Sequence, residues 1–175
     1  LADRTDFLDF TVSRSLARAR RGLFERTLLV GSSLGGWTAA LLARDEPRVG
    51  EMVLLCPAFR FADRWSRPDR AEAVARWRRE GRLDFELGYP PEMAPLGVGF
   101  LDDVLALDGE VRPAVPTIAF HGTNDVVVPL ADAASVIGDL PNVDLDVRDD
   151  DHALGATLPE LVEAVRARAR ALRSA

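Results

Sequence analysis

Lysine is missing from all 175 residues, and with it any Walker-type phosphate loop, which needs a lysine after its last glycine. Glutamine is missing too, and every basic residue is an arginine, a compositional bias without mechanistic content. Cysteine occurs once, at Cys56, so no internal disulfide can form and no cysteine-based metal site is expected. Placed after Met52-Val53-Leu54-Leu55, Cys56 reads as a small buried residue. No apolar run approaches the length of a membrane span and no cleavable signal is visible, so a cytoplasmic chain is expected. Positive charge is in the minority: a net charge of −6 and a pI near 5.0 argue against nucleic acid as the main partner. The first residue is Leu rather than Met, from which an upstream segment is expected.

What is there is the balance of a globular protein, 47% hydrophobic with 29% charged residues, in one domain's length of chain. Gly31-Ser32-Ser33-Leu34-Gly35 carries the most information. It reads G-x-S-x-G, follows the apolar run Thr27-Leu28-Leu29-Val30, and runs into Gly36-Trp37-Thr38-Ala39-Ala40-Leu41. A strand, a cramped glycine-flanked turn and a helix would expose the Ser33 hydroxyl at the top of a sheet. The bland alternative is a plain tight connection or a phosphate cradle. A dinucleotide fingerprint would need G-x-G-x-x-G, which this order does not supply.

The rest alternates strands and helices. Thr11 or Ser13 can cap a helix over Val12 to Arg21, with Gly22 as its stop. Strands are expected at Thr27–Val30, Glu51–Leu55, Pro116–Phe120 and Val143–Val147, and helices over Leu34–Arg44, Leu130–Gly138 and Pro159–Arg173. The run Thr27–Val30, apolar on both faces, belongs inside a parallel sheet, whereas Val143–Val147 alternates and belongs at its edge. Residues 57–108 differ: an arginine-rich helical stretch from Arg64 to Arg82, a turn-rich piece from Leu83 to Gly99 containing Tyr89-Pro90-Pro91, and a helix over Phe100–Leu107. Arginines interleaved with tryptophans can bind nucleic acid, but Glu72 and Glu80 dilute the patch, and a solvated helix over packed aromatics is favoured. The organisation expected is a single α/β domain, 1–175, with 57–108 as a cap-like helical insertion.

A serine hydroxyl needs a base, and the base an orienting acid. Of the two histidines, His152 lies in Asp149-Asp150-Asp151-His152-Ala153-Leu154, after the fourth strand, at the sheet edge where ligand chemistry gathers. His121 precedes Gly122-Thr123-Asn124-Asp125 and is assigned to stabilising that loop. Asp125 is the candidate acid, with a plain turn aspartate as its alternative. With Ser33, Asp125 and His152 in that order, each after its own strand, the chain resembles the α/β-hydrolase superfamily, small bacterial esterases and thioesterases above all.

The resemblance covers the chain from about Val12 onward. It implies a predominantly parallel sheet with helices on both faces, Ser33 as nucleophile, His152 as base, Asp125 as acid, and the Leu34 N–H as an oxyanion donor. It also implies a departure. No His-Gly-type motif precedes Gly31 and no strands stand upstream, so the chain is expected to be the C-terminal two thirds or so of such an enzyme, with an exposed sheet edge inviting self-association. The function expected is hydrolysis of a small-molecule carboxylic ester or thioester through an acyl-enzyme, without metal or organic cofactor. An amide or peptide hydrolase on the same triad, and a non-catalytic binding module, are the alternatives. Trp65, Phe85, Tyr89 and Phe100 are the candidate contacts for an apolar acyl or aryl group, with packing as their bland reading.

Overall fold

The computed structural model describes residues 4–87, 92–107 and 111–174. After a 3₁₀ turn, Arg4–Asp9, come α1 (Val12–Arg21), β1 (Thr27–Ser32), α2 (Leu34–Asp45) and β2 (Val49–Leu55). Next are α3 (Asp63–Ser66), a 3₁₀ turn Pro68–Arg70, α4 (Ala71–Glu80), β3 (Arg82–Leu87), β4 (Glu92–Gly97) and α5 (Val98–Ala106). The chain closes with β5 (Thr117–Gly122), α6 (Leu130–Ile137), β6 (Val143–Arg148) and α7 (Leu158–Ser174). These elements fall into two compact units, one of residues 19–60 and 110–175, the other of residues 1–18 and 61–109.

The first of these is an α/β layer structure. Its sheet has the order β1-β2-β5-β6 with every pair parallel, from Val30 opposite Val53 to Ala119 opposite Leu145. Helices flank it: α2 and α7 pack on β1 and β2, and α6 on β6. Parallel strands need such cover, and the central strands are apolar for that reason, with Met52, Val53 and Leu54 wholly buried. Val53, Cys56, Phe120, Leu154 and Leu161 form one core cluster, joined by Leu28, Ile118 and Val165. Because all four strands run the same way, the loops after β1, β2, β5 and β6 share one edge. Among the described residues β1 has no partner on its outer side, and Val30, expected in a sheet interior, is 51% exposed.

The second unit is built on rings. Trp77, with no exposed surface, lies 5.2 Å from Trp65, 5.0 Å from Phe85 and 6.3 Å from Phe100, centroid to centroid. Phe61 and Phe10 extend the cluster through Phe100, at 5.9 and 5.7 Å. The Trp77 indole N–H donates to the Leu96 carbonyl at 2.9 Å, so its one polar atom is satisfied. Two local expectations change here. The single helical stretch Arg64–Arg82 is broken, because Pro68 cannot continue a helix and opens a 3₁₀ turn between α3 and α4. The piece read as turn-rich, Leu83–Gly99, is mostly an antiparallel hairpin of β3 and β4, with Phe85 opposite Ala94 and Asp84 opposite Pro95. A two-stranded sheet has only edge strands, so Pro95 fits without an N–H.

Candidate active site

Ser33 sits between β1 and α2 at φ 52°, ψ −120°, a conformation that costs a residue with a Cβ on the order of 1–3 kcal/mol. The backbone around it holds it there. Its N–H donates to the Leu55 carbonyl at 2.8 Å, continuing the sheet ladder by one residue. Its carbonyl accepts from the N–H groups of Gly36 at 2.9 Å and Ala58 at 3.1 Å. Gly31 is required by close approach: a Cβ there would run into the Gly35 carbonyl and lie 2.9 Å from the Gly36 Cα. Ser33 is half-buried and its neighbour Ser32 exposed. The Leu34 N–H opens α2 and so has no intrahelical acceptor.

Asp125 follows β5 in the loop at the same edge, its side chain fully buried. Its Oδ1 accepts from the N–H groups of Val127 at 2.9 Å and Val128 at 2.8 Å. Its Oδ2 lies 2.7 Å from Nδ1 of His152, whose side chain is 25% exposed. Burial pushes the Asp125 carboxyl up, but hydrogen bonds from His152, the Val128 N–H, the Cys56 thiol and the Val127 N–H outweigh it. The net direction is below the usual carboxylate range. An ionised acceptor at Nδ1 selects the tautomer with Nδ1–H, leaving Nε2 free to take a proton.

The His152 loop is fastened independently. Asp150 accepts from the Thr157 hydroxyl at 2.8 Å, the Thr157 N–H at 2.9 Å and the Asp151 N–H at 2.8 Å, and these bonds hold its carboxyl below the usual range. Asn124 ties the two loops together, donating from Nδ2 to Asp149 at 2.9 Å. Gly122 lets them meet: a Cβ there would be 2.6 Å from the Asp151 carbonyl oxygen. Leu154, buried two residues beyond His152, also has positive φ, 52°.

His121 is fully buried, with Nε2 2.9 Å from the Val128 carbonyl oxygen, so it braces the Asp125 loop from inside. Ligand atoms of Cys56, His121 and Asp125 lie within 4.8 Å of one another. A single cysteine rules out cysteine-only sites but not such a mixed group, which the sequence reading did not foresee. Its atoms are only partly engaged: His121 Nε2 meets the Val128 carbonyl, while His121 Nδ1 is buried without a hydrogen-bond partner among the described residues. Burial pushes the Cys56 thiol up to about 12, and the Asp125 oxygens already hold the Val127 and Val128 N–H groups and the His152 imidazole.

Asp125 and His152 are thus brought together, and Ser33 stands at the end of β1 on the same sheet edge. Among the described residues no hydrogen bond joins Ser33 to His152. Trp65 and Phe85 meet in the aromatic cluster of the other unit, Phe100 joins that cluster through Trp77, and Tyr89 lies outside the described residues. Cys56, Asn124, Asp150 and Thr157 were missed as parts of the site. Cys56 alone had a signal, since it ends a strand at the edge where Ser33, Asp125 and His152 end theirs.

The model of the alpha/beta hydrolase family matches residues 2–174. The chain belongs to that family. No curated protein matches it. Among solved structures, a protein of Agrobacterium vitis S4, itself only provisionally assigned as a hydrolase, is 28% identical with a TM-score of 0.76. The match covers 93% of this hydrolase and 70% of that chain. Est1E from Butyrivibrio proteoclasticus has a TM-score of 0.65 at 17% identity, over 95% of this chain and 73% of its own. The monoacylglycerol lipase of Paleococcus ferrophilus has the same score and identity, over 91% and 76%. At such identities the last two speak for the fold alone. Among the described residues no helix is long and apolar enough to cross a membrane.

Proposed function

We propose that this hydrolase cleaves carboxylic esters or thioesters by acyl transfer through Ser33. The observation that carries the reading is the 2.7 Å contact between His152 Nδ1 and the buried Asp125 carboxylate, at the sheet edge where strained Ser33 turns into α2. His152 Nε2 takes the Ser33 proton as the oxygen attacks the acyl carbon, and later delivers it to the leaving alcohol or thiol. Asp125 keeps the imidazole in that tautomer and stabilises the imidazolium. The Leu34 N–H supplies one donor to the oxyanion, helped by the N-terminal end of α2. Water then attacks the acyl-enzyme with His152 again as base. No step calls for a metal or organic cofactor.

The test is covalent labelling of the wild-type chain by a fluorophosphonate, alongside turnover of p-nitrophenyl acetate and an acyl thioester. Labelling at Ser33 with turnover of either substrate is the expected outcome. Labelling without ester or thioester turnover would move the reading to amides or peptides on the same residues. Absence of both would leave a non-catalytic binding module.

A further inference from the structure

We propose that Cys56 is a positioning residue for Asp125, its buried thiol acting as the fourth hydrogen-bond donor to the carboxylate that holds His152. The inference rests on the reading of Asp125 and His152 as acid and base. Four non-glycine residues of the described chain have positive φ, and three of them, Ser33, Cys56 and Leu154, lie in loops after strands of the sheet at its C-terminal edge. At Ser33 and Leu154 the strained backbone serves the elbow and the His152 loop. Cys56, at φ 42°, has no part in the proposed chemistry, yet its backbone is pinned there by its N–H on the Phe120 carbonyl at 2.8 Å. Strain retained where the mechanism does not use it asks for a reason.

The surroundings of the sulfur supply one. The wholly buried Cys56 places its Sγ within 4.8 Å of both an Asp125 carboxylate oxygen and a His121 ring nitrogen, where its hydrogen can turn toward the carboxylate. The charged and titratable groups facing it are Asp125, His121 and, further off, Asp150. A thiol facing one carboxylate and buried beside a histidine remains S–H and therefore remains a donor. His121 spends its Nε2 on the Val128 carbonyl, and at 3.5 Å from Asp125 Oδ2 it does not replace that donor. The Asp125 charge is thereby divided: Oδ1 serves the two loop N–H groups, Oδ2 serves the imidazole, and the thiol adds its donor to the same carboxylate. Removing the thiol would take one donor from the carboxylate and leave more of its charge to the His152 Nδ1–H.

The experiment compares Cys56→Ala and Cys56→Ser in the full chain, by ester kinetics and by the ¹⁵N shift of the His152 imidazole Nδ1. The expected result for Cys56→Ala is a kcat lower by about three- to tenfold with KM unchanged, and an Nδ1 signal moved to lower field. Cys56→Ser, which keeps a donor, should recover most of both. Unchanged Nδ1 signals in both variants would overturn the proposal, whatever happens to kcat, because a merely packed cysteine changes stability without touching that hydrogen bond. The nitrogen signal does not depend on turnover, so a wild type without esterase activity would count against the proposed function while Cys56 is still judged.

Discussion

The sheet edge and the aromatic cluster are assembled on opposite principles. At the edge, three residues sit in strained backbone, a buried carboxylate holds two backbone N–H groups and an imidazole, and two loops are stapled by short polar contacts. In the other unit, Trp65, Phe85 and Phe100 each pack against Trp77, and a single indole bond to Leu96 satisfies Trp77. Directional bonds place atoms to a few tenths of an ångström; ring packing places surfaces and tolerates repacking. Substitutions at the edge should therefore cost rate, and substitutions in the cluster should cost stability.

The largest expected effect lies at the elbow. Ser33→Ala should lower turnover by roughly 10⁴-fold or more and abolish probe labelling, while Ser32→Ala retains most of both. Swapped outcomes would put the elbow one residue away. Next come the histidines. His152→Ala should approach the serine variant in kcat, whereas His121→Ala should act mainly by lowering the unfolding midpoint, since it braces the Val128 carbonyl. A dead His121 variant beside an active His152 variant would reverse the assignment.

On the other side of the comparison, Trp77→Ala should destabilise by about 3–5 kcal/mol in urea unfolding, because a fully buried indole and its hydrogen bond are lost together. A rate loss without a stability loss would mean that the ring does more than pack. A smaller effect is expected at β1. Val30 is half exposed beside a free strand edge, so residues 1–175 should self-associate, and Val30→Arg should shift sedimentation toward monomer. A monodisperse wild-type monomer would defeat that expectation.

The smallest concerns acid. Arg48 donates to both Glu46 oxygens at 2.7 Å and holds the carboxyl at about 2, well below its ordinary 4.5. A depressed folded value means that the pair stabilises fully above the ordinary range and loses that contribution as pH falls from 4.5 toward 2. Glu46→Gln should flatten the unfolding midpoint across this window, and an unchanged slope would show the pair to be inert.

By itself the chain order determined the α/β class and the parallel strands, and it set Ser33 in a G-x-S-x-G turn with Asp125 and His152 after later strands. Each rests on local physics: apolar runs flanked by helical periodicity, glycines where a turn is cramped, and polar residues placed just after strands. Other features were legible but outweighed. Leu83-Asp84-Phe85-Glu86-Leu87 alternates like a strand, but the prolines after it read as turns, since the hairpin register depends on a partner further along the chain. The tertiary structure alone decided the rest. Val30 reads as an interior residue until the strand beside it is counted. Cys56 and Asp125 are 69 residues apart in the chain, and no spacing rule joins them. They meet because β2 and β5 are neighbours in a parallel sheet, which brings the ends of both strands to one edge and turns a lone buried thiol toward a carboxylate.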